Sequence, residues 1–513
     1  MNARTSSRLV ALTMASAVIT AWIASSALPS VAVEDDETFQ VNTTVDGFDG
    51  VCDDAHCSLR DAIAAAAPRD TVLVSPGFYA LTVTGNGGVG EGDIDLRSAI
   101  TIEGGGETGV FIDASALGQR AFTLGVADAG KRYVLEGLTI FGARDPAIDG
   151  AAVKVVSGAG VLSGVTVSGS QGDDGGAVWS GPGTSLTATD SLFIGNSAAG
   201  TGGAIHSEGA LSVDGITVTG NTAIDGAGLF ATGPTTEMQN STIAGNTATG
   251  SGGGLFLDGA AELSLMTIAE NEAARGGGVR RPSTGTGDAT IRSSIVSDNT
   301  APDGRDCSGD LHSLGGNVGS AKGCGLREPT DRSGRDPQLR RLGPNGGPTP
   351  TMALRPTSPA IGSGIECSRR DQRGAPRDRR CDAGAYELVR CLGKPVNIVG
   401  TPGGDELSGG RGPDVFLGMG GDDEFQGSIG KDRACGGPGN DLLIAGPGDD
   451  RFDGEVGNDR VRGESGGDWV WGGAGRDRLV GGPGDDQCQA EGRDRDPRGC
   501  EILVTAVARR TAT

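Results

Sequence analysis

The chain has 513 residues, enough for two or three domains, and a formal net charge of −23 at pH 7. An acidic excess of this size argues against nucleic acid and against anionic membrane surfaces as partners. Glycine (93 residues) and proline (23) are abundant, but the glycines recur at fixed spacings, which favours a repeat architecture over disorder.

Residues 1–32 have the features of an export signal. Arg4 and Arg8 precede an uncharged stretch over residues 9–28, and Ser30-Val31-Ala32 provides small residues for cleavage. Because that stretch is also long enough to cross a bilayer, an uncleaved anchor is the alternative. After cleavage we expect no integral membrane segment and a secreted or extracellular protein, with association at the cell surface left open.

The ten cysteines of an exported chain suggest disulfides. Sequence alone does not fix their connectivity, but local pairing is the simplest interpretation: Cys52 with Cys57, Cys307 with Cys324, Cys367 with Cys381, Cys488 with Cys500, and Cys391 with Cys435 as the remaining pair. A zinc site is the alternative. It is disfavoured because the chain has only three histidines and none stands in a ligand pattern.

Residues 38–70 predict a cap at the N-terminal end of the fold. Ser58 and Asp61 have the spacing of a helix capping box, and the alanines up to Ala67 continue a short helix. The phrase from Cys57 to Ile63 resembles the CSLREA motif of secreted bacterial β-helix proteins, with aspartate where that family usually has glutamate. The resemblance implies that this helix closes the end of a solenoid, where unpaired backbone groups would otherwise be exposed.

Residues 71–300 predict a parallel β-helix. Asparagines recur at spacings of 25, 25, 25 and 28 residues, at Asn196, Asn221, Asn246, Asn271 and Asn299. Apolar residues lie eight and three positions before each of them, so each period holds several short apolar segments. One coil of a parallel β-helix requires such a period, and the asparagines would stack as a ladder. About nine coils fit between residues 71 and 299. The segment resembles PbH1-type right-handed parallel β-helices; the alternative, a β-sandwich, does not repeat identical turn chemistry.

Residues 301–390 break this period. Their phrases, among them Ser358-Pro-Ala-Ile and Cys381-Asp-Ala-Gly-Ala-Tyr-Glu387, resemble the choice-of-anchor Q region that ends many secreted or surface β-helix proteins. A basic run comprises Arg369, Arg370, Arg373, Arg377, Arg379 and Arg380. It is interpreted as a solvated loop bounded by a disulfide, with a polyanion-binding patch as the alternative.

Residues 400–489 repeat a nine-residue phrase ten times, Gly-x-x-Gly-x-Asp-x-apolar-x. Every copy keeps the aspartate, a glycine two residues before it and an apolar residue or cysteine two residues after it. The aspartates are Asp405, Asp414, Asp423, Asp432, Asp441, Asp450, Asp459, Asp468, Asp477 and Asp486. The phrase resembles the nonapeptide repeat of RTX (hemolysin-type) calcium-binding proteins. That family is typically exported through a C-terminal signal, whereas this sequence predicts an N-terminal one.

The spacing of this phrase predicts its chemistry. Two copies would form one eighteen-residue coil of a parallel β-roll, with turns stacked about 4.8 Å apart. Stacking brings carboxylates and backbone carbonyls together, and all-oxygen cages suit calcium. Residues 400–489 hold 18 acids and 8 bases, so the rows repel one another without cations. We therefore expect the ten aspartates to bind several Ca²⁺ ions and residues 391–489 to fold on binding, with residues 490–513 as a tail. The alternative, an acidic linker, has no reason to keep the apolar position.

The predicted fold class is all-β: a right-handed parallel β-helix solenoid followed by a C-terminal calcium-binding parallel β-roll. The predicted function is non-catalytic calcium binding outside the cell. A polysaccharide lyase or hydrolase and a surface adhesin are the alternatives, and a cell-wall or extracellular polysaccharide is retained as a candidate partner. The carboxylate and histidine candidates for catalysis are Asp173 with Asp174, Glu270 with Glu272, and His206. Turn or outward positions explain each of them without a catalytic role.

Overall fold

The structure is a computed structural model that describes residues 36–85, 90–106, 109–126, 131–321, 323–490, 495–500 and 502–505. The predicted export signal, residues 1–32, lies outside the described residues, as does most of the predicted tail. Among the described residues, no helix has the length and apolarity needed to span a membrane.

The N-terminal segment contains the predicted capping helix, which spans Leu59–Ala65. The Ser58 hydroxyl accepts a hydrogen bond from the Asp61 N–H (3.1 Å), and the Asp61 carboxylate accepts one from the Ser58 N–H (3.4 Å). The predicted capping box is therefore confirmed. Leu59, Ala62 and Ile63 are buried, and the helix contacts the first two strands of the solenoid, so it covers the end of the core.

Three long parallel sheets form the walls of a β-helix, with a fourth, short sheet at one turn. Sheet 1 comprises Thr38–Val41, Thr71–Val74, Thr101–Gly104, Arg132–Glu136, Ala159–Ser163, Ser185–Thr189, Ala210–Asp214, Thr235–Gln239, Ala260–Ser264, Ala289–Arg292 and His312–Gly315. Sheet 2 comprises Ile94–Leu96, Phe122–Leu124, Val153–Val155, Val178–Ser180, Ile205–Ser207, Leu229–Ala231, Leu255–Leu257, Val279–Arg280 and Cys307–Ser308. Sheet 3 comprises Gly77–Ala80, Val110–Asp113, Leu138–Phe141, Thr166–Ser168, Leu192–Ile194, Thr217–Thr219, Thr242–Ala244, Thr267–Ala269, Ile295–Ser297, Val318–Gly319 and Arg332–Ser333. The short sheet comprises Gln171–Gly172, Ser197–Ala198, Thr222–Ala223 and Thr247–Ala248.

Each coil between the terminal ones contributes one strand to each long sheet. Partners in register lie one repeat apart, such as Val213 and Met238. In the described chain, nine strands of sheet 1 begin between residues 71 and 299, as the repeat length predicts. The predicted apolar positions are buried in one continuous core.

The asparagine ladder is present. The Nδ2 of each asparagine donates to the Oδ1 of the next one at 2.9–3.1 Å, from Asn196 through Asn299. The same amide also binds a backbone carbonyl, as in the bond from Asn221 to the Phe193 oxygen (3.1 Å). The ladder ends when Asn299 donates to Asp306 (3.1 Å). A row of buried side chains therefore satisfies itself and fixes the register of the coils.

Residues 340–390 lie along the outer face of sheet 3. The Gln372 amide donates to Thr217 (2.8 Å) and accepts from Thr242 (2.6 Å), and the Ala385 N–H donates to Thr267 (3.0 Å). These bonds are buried and join segments far apart in the sequence, so this region is packed onto the β-helix.

The interpretation of the basic run as a solvated loop is wrong for two of its members. The side chain of Arg373 is fully buried, 2.7 Å from the carboxylate of Asp371, and Arg377 is buried 3.1 Å from Glu387. The acids sit close in sequence, and folding around them removes both guanidinium groups from water. The remaining arginines of the run are exposed.

The repeat region forms a parallel β-roll with two sheets. Roll sheet 1 comprises Ile398–Val399, Val415–Leu417, Arg433–Pro438, Arg451–Gly457, Trp469–Trp471, Ala474–Gly475, Gln487–Ala490 and Ile502–Thr505. Roll sheet 2 comprises Glu406–Ser408, Glu424–Gln426, Leu442–Pro447, Arg460–Ser465, Arg478–Val480 and Arg495–Arg498. Partners lie eighteen residues apart, as in Leu407 with Phe425, so two copies make one coil as predicted. The repeated apolar residues form the core of the roll, from Phe416 to Cys488.

Disulfides join the predicted cysteine pairs: Cys52–Cys57, Cys307–Cys324, Cys367–Cys381, Cys391–Cys435 and Cys488–Cys500. Cys391 belongs to an antiparallel hairpin formed by Arg390–Cys391 and Lys394–Pro395. Its disulfide ties that hairpin to the fourth copy of the repeat. Cys488 occupies the interior position of the tenth copy, so its disulfide lies at the other end of the roll core.

Candidate metal centre

The coil of the roll separates the ten predicted aspartates into two rows of five, one at each turn. The first row contains Asp405, Asp423, Asp441, Asp459 and Asp477, and the second contains Asp414, Asp432, Asp450, Asp468 and Asp486. Members of a row follow one another at the spacing of adjacent strands, about 4.8 Å. The structure therefore brings the predicted residues together, but as two arrays.

One oxygen of each inner carboxylate is held by the backbone. The Oδ1 of an aspartate accepts a hydrogen bond from the N–H of the aspartate one coil earlier, at 2.7–2.9 Å in eight successive pairs. These bonds fix the side-chain rotamers, so the second oxygen of each carboxylate points in the same direction along a row.

That second oxygen has no hydrogen-bond donor in six of the aspartates. The Oδ2 atoms concerned are buried and belong to Asp423, Asp432, Asp441, Asp450, Asp459 and Asp468. A buried carboxylate oxygen without a donor or cation is costly. These atoms therefore mark places where a positive charge fits.

The electrostatics agree with this geometry. Burial raises the pKa of Asp459 to about 8 and the pKa values of Asp423 and Asp450 to about 7. Burial also raises the pKa values of Asp441 and Asp468, to about 6. Neighbouring carboxylates of the same row add to the shift, for example Asp441 beside Asp459. A cation placed in the row would oppose both effects.

The first residue of the repeated phrase leaves room for such a cation. A Cβ placed on Gly436 would lie 2.2 Å from the Asp441 Oδ2 and 2.8 Å from the carbonyl oxygen of Gly454, one coil on. The corresponding distance to the aspartate Oδ2 is 2.2–2.8 Å in all nine copies that have glycine here. The glycines thus keep open a cradle lined by carboxylate and carbonyl oxygens, which are the ligands that Ca²⁺ prefers.

One copy departs from the predicted phrase at its first position. The sixth copy has Ala445, fully buried, where the other copies have the first glycine. Reading that position across the ten copies would have revealed it.

The rows are not uniform at their N-terminal ends. The Oδ2 of Asp405 accepts the N–H of Thr401 (2.6 Å), and the Oδ2 of Asp414 accepts the N–H of Gly410 (2.7 Å). Both carboxylates are also partly exposed. The inner members of each row therefore fit a cation better than these first two.

The candidate catalytic residues of the β-helix lie on its strands and turns. His206 is buried and is stacked between the rings of Trp179 and Phe230, at centroid distances of 6.5 and 5.0 Å. Its Nδ1 lies 2.7 Å from the Thr201 hydroxyl, which donates to Asp174 (2.7 Å). Burial lowers the pKa of His206. The ring faces in this stack cover one another, so the histidine is held as part of an aromatic column.

Glu270 and Glu272 flank the ladder residue Asn271 and are exposed. Glu270 has a left-handed backbone conformation (φ 57°), as expected of a turn residue.

The comparison with known families matches the repeat region. Residues 399–434, 426–461, 435–470 and 453–488 each match the RTX calcium-binding nonapeptide repeat. The chain therefore carries RTX calcium-binding repeats, which cover both aspartate rows. None of the curated proteins matches the sequence.

Two solved structures resemble the fold at a distance. Pectate lyase Pel9A is 13% identical with a TM-score of 0.41, and the match covers 69% of this chain and 97% of that one. The PL6 family alginate lyase AlyGC is 10% identical with a TM-score of 0.25, over 91% of this chain and 78% of that one. Similarities this weak bear on neither substrate nor activity.

Proposed function

We propose that the chain is a secreted, non-catalytic protein whose C-terminal roll binds several Ca²⁺ ions and becomes compact on binding them. The ten aspartates of the two rows supply the side-chain ligands, and the carbonyl oxygens of the repeated glycine turns supply the others. The six buried Oδ2 atoms without a donor are the observation that carries this proposal.

The protein residues have distinct parts in this function. Backbone N–H groups hold each Oδ1, so the carboxylates are oriented before any ion arrives. Glycines at the first position keep the cradles open. Bound calcium supplies the positive charge that each row otherwise lacks. Because the glycine-rich backbone is costly to order, the binding free energy contributes directly to folding.

The disulfides support an extracellular location for this function. Disulfides form and persist in oxidising compartments, and the described chain has no free cysteine. Two of the disulfides tie the roll to the preceding hairpin and close its far end. They leave the coils between them dependent on the cation rows.

Equilibrium dialysis of residues 33–513 against millimolar free Ca²⁺, with Mg²⁺ as the control ion, tests the proposal. We expect several bound Ca²⁺ ions and a gain of β-sheet circular dichroism with Ca²⁺. Binding of Mg²⁺ should be weak or absent, because Mg²⁺ demands near-ideal octahedral geometry and releases its water reluctantly. A variant with all five aspartates of the first row changed to asparagine should bind about half as many ions. Absence of bound Ca²⁺ in the unaltered chain would refute the proposal.

A further inference from the structure

Four exposed arginines lie together on the outer face of roll sheet 2. Arg460 and Arg462 flank Val461, which is fully buried, so both arginine side chains point outward. Arg478 pairs with Arg460 on the next strand, and Arg498 lies one strand further on. We call these four residues the arginine face. None of them forms an ion pair with any residue that the structure describes.

This arrangement is unfavourable for the isolated chain. Like charges directly opposite one another on adjacent strands destabilise a sheet. The roll offers far more acids than bases, and it does pair a base elsewhere, as in Lys431 with Asp449. The equivalent outward positions of the first two strands in this sheet hold Glu406 and Glu424. Positive charge is therefore concentrated at one end of the sheet without an internal partner.

We propose that the arginine face binds a single-chain acidic polysaccharide, a polymer with a carboxylate or sulfate on successive sugar units. Arg460 and Arg478 lie on adjacent strands about 4.8 Å apart, close to the length of one sugar unit, so a chain running across the strands meets one guanidinium group per unit. Guanidinium groups bind such anions through paired hydrogen bonds.

The dimensions and charge of the surroundings select a thin polymer. The face is three residues wide between Arg460 and Arg462, and a row of aspartates follows each turn beside it. A nucleic acid duplex or an anionic bilayer would overlap these acidic rows and the rest of a chain with net charge −23. A single flexible chain touches the arginines alone.

The proposal rests on the proposed calcium function, because Arg460 and Arg478 come into register only when the coils stack. Polymer binding should therefore appear with Ca²⁺ and fall in chelator. Calcium-neutralised aspartate rows would also repel the polymer less.

Fluorescence polarisation of end-labelled oligogalacturonate, too short to gel with Ca²⁺, tests the proposal on residues 33–513. Arg460→Gln/Arg478→Gln should weaken binding about tenfold or more, and added salt should weaken it further. The matched control is Arg411→Gln/Arg451→Gln, which removes two exposed charges from the same roll away from the face and should change binding by less than about twofold. A sulfated oligosaccharide in parallel identifies the preferred anion.

Equal losses in the two double variants, binding of a neutral oligosaccharide, or tighter binding of single-stranded DNA would overturn the proposal. Calcium-dependent circular dichroism on the same samples separates it from the calcium function. If the dichroism responds to Ca²⁺ but the Arg460→Gln/Arg478→Gln variant binds oligogalacturonate normally, the surface proposal alone fails. If the unaltered chain neither binds Ca²⁺ nor responds to it, the calcium function fails, whatever the polymer result.

Discussion

Asp459→Asn should stabilise the protein in chelator and destabilise it in calcium. Asparagine keeps the Oδ1 that accepts the Asp441 N–H (2.8 Å) and changes only the buried second oxygen and the charge. Burial raises the pKa of Asp459 from 3.8 to about 8, so folding without a cation opposes ionisation of this group. The difference between 3.8 and neutral pH corresponds to roughly 4 kcal/mol at most, because one pKa unit equals about 1.4 kcal/mol. Screening by nearby solvent reduces this to about 1–2 kcal/mol.

In saturating calcium the sign reverses. The same substitution removes one negative charge from an array that neutralises cations, and removing one member of a buried charged pair costs about 3–5 kcal/mol. We expect a loss of about 2–4 kcal/mol after partial compensation by the carbonyl ligands. A loss of this size also raises the calcium concentration at the folding midpoint, by about twofold or more, because the several bound ions share the change in free energy.

Urea unfolding of the full chain, followed by tryptophan emission, measures both signs. Trp469 and Trp471 lie in the roll, so emission reports on the coils that contain Asp459. The matched control is Asp485→Asn, which makes the same chemical change at an exposed turn position. Equal effects of Asp459→Asn and Asp485→Asn, or an equal loss of stability from Asp459→Asn with and without calcium, would show that the buried Asp459 carboxylate does not hold a cation.

Three further outcomes follow from the structure. Asn246→Ala should lower the free energy of unfolding in urea by about 2–4 kcal/mol, in calcium and in chelator alike. The substitution leaves the Asn221 N–H and the Val218 carbonyl without their hydrogen-bond partner. The control, Thr249→Ala at an exposed position, should change this free energy little. Cys391→Ser/Cys435→Ser should raise the calcium concentration at the folding midpoint in a circular dichroism titration, because the lost disulfide stabilises the fold by about 2–4 kcal/mol. An unchanged midpoint would show that the hairpin does not stabilise the roll. Lowering the pH from about 8 to about 6 should stabilise the roll in chelator, because the folded aspartates bind more protons than the unfolded ones. The same change should weaken calcium binding, because protons compete with Ca²⁺ for the carboxylates. Titrations showing the opposite pH trends would contradict the raised pKa values.

Periodic inward positions made much of the fold predictable from sequence. The asparagines, the apolar residues of each coil and the aspartates recur because stacked coils impose the same environment at equal intervals. The coil length of eighteen residues and the asparagine ladder followed from that regularity. The short-range disulfides followed instead from the closeness of the paired cysteines in the sequence. The separation of the aspartates into two rows is a consequence of two copies per coil.

Outward and irregular positions were not predictable in the same way. The sequence predicted that Arg373 and Arg377 are solvated. Their ion pairs with Asp371 and Glu387 form only when residues 340–390 fold against sheet 3. Arg460 and Arg478 belong to a position of the repeat that varies freely, so the repeat conceals their shared surface. Their eighteen-residue separation was the available signal.

The two solenoids differ in whether a stacked polar row can satisfy itself. In the β-helix, an asparagine amide both accepts and donates, so each member binds the next and the row ends at Asp306. In the roll, an ionised carboxylate can only accept: its Oδ1 accepts a backbone N–H, and neighbouring carboxylates that are also ionised have no proton to donate to its Oδ2. The same stacking geometry therefore yields a row that closes on itself in one half of the chain and a row that needs cations in the other. Calcium dependence is thus a property of which side chain occupies the stacked position, and it should be confined to the roll.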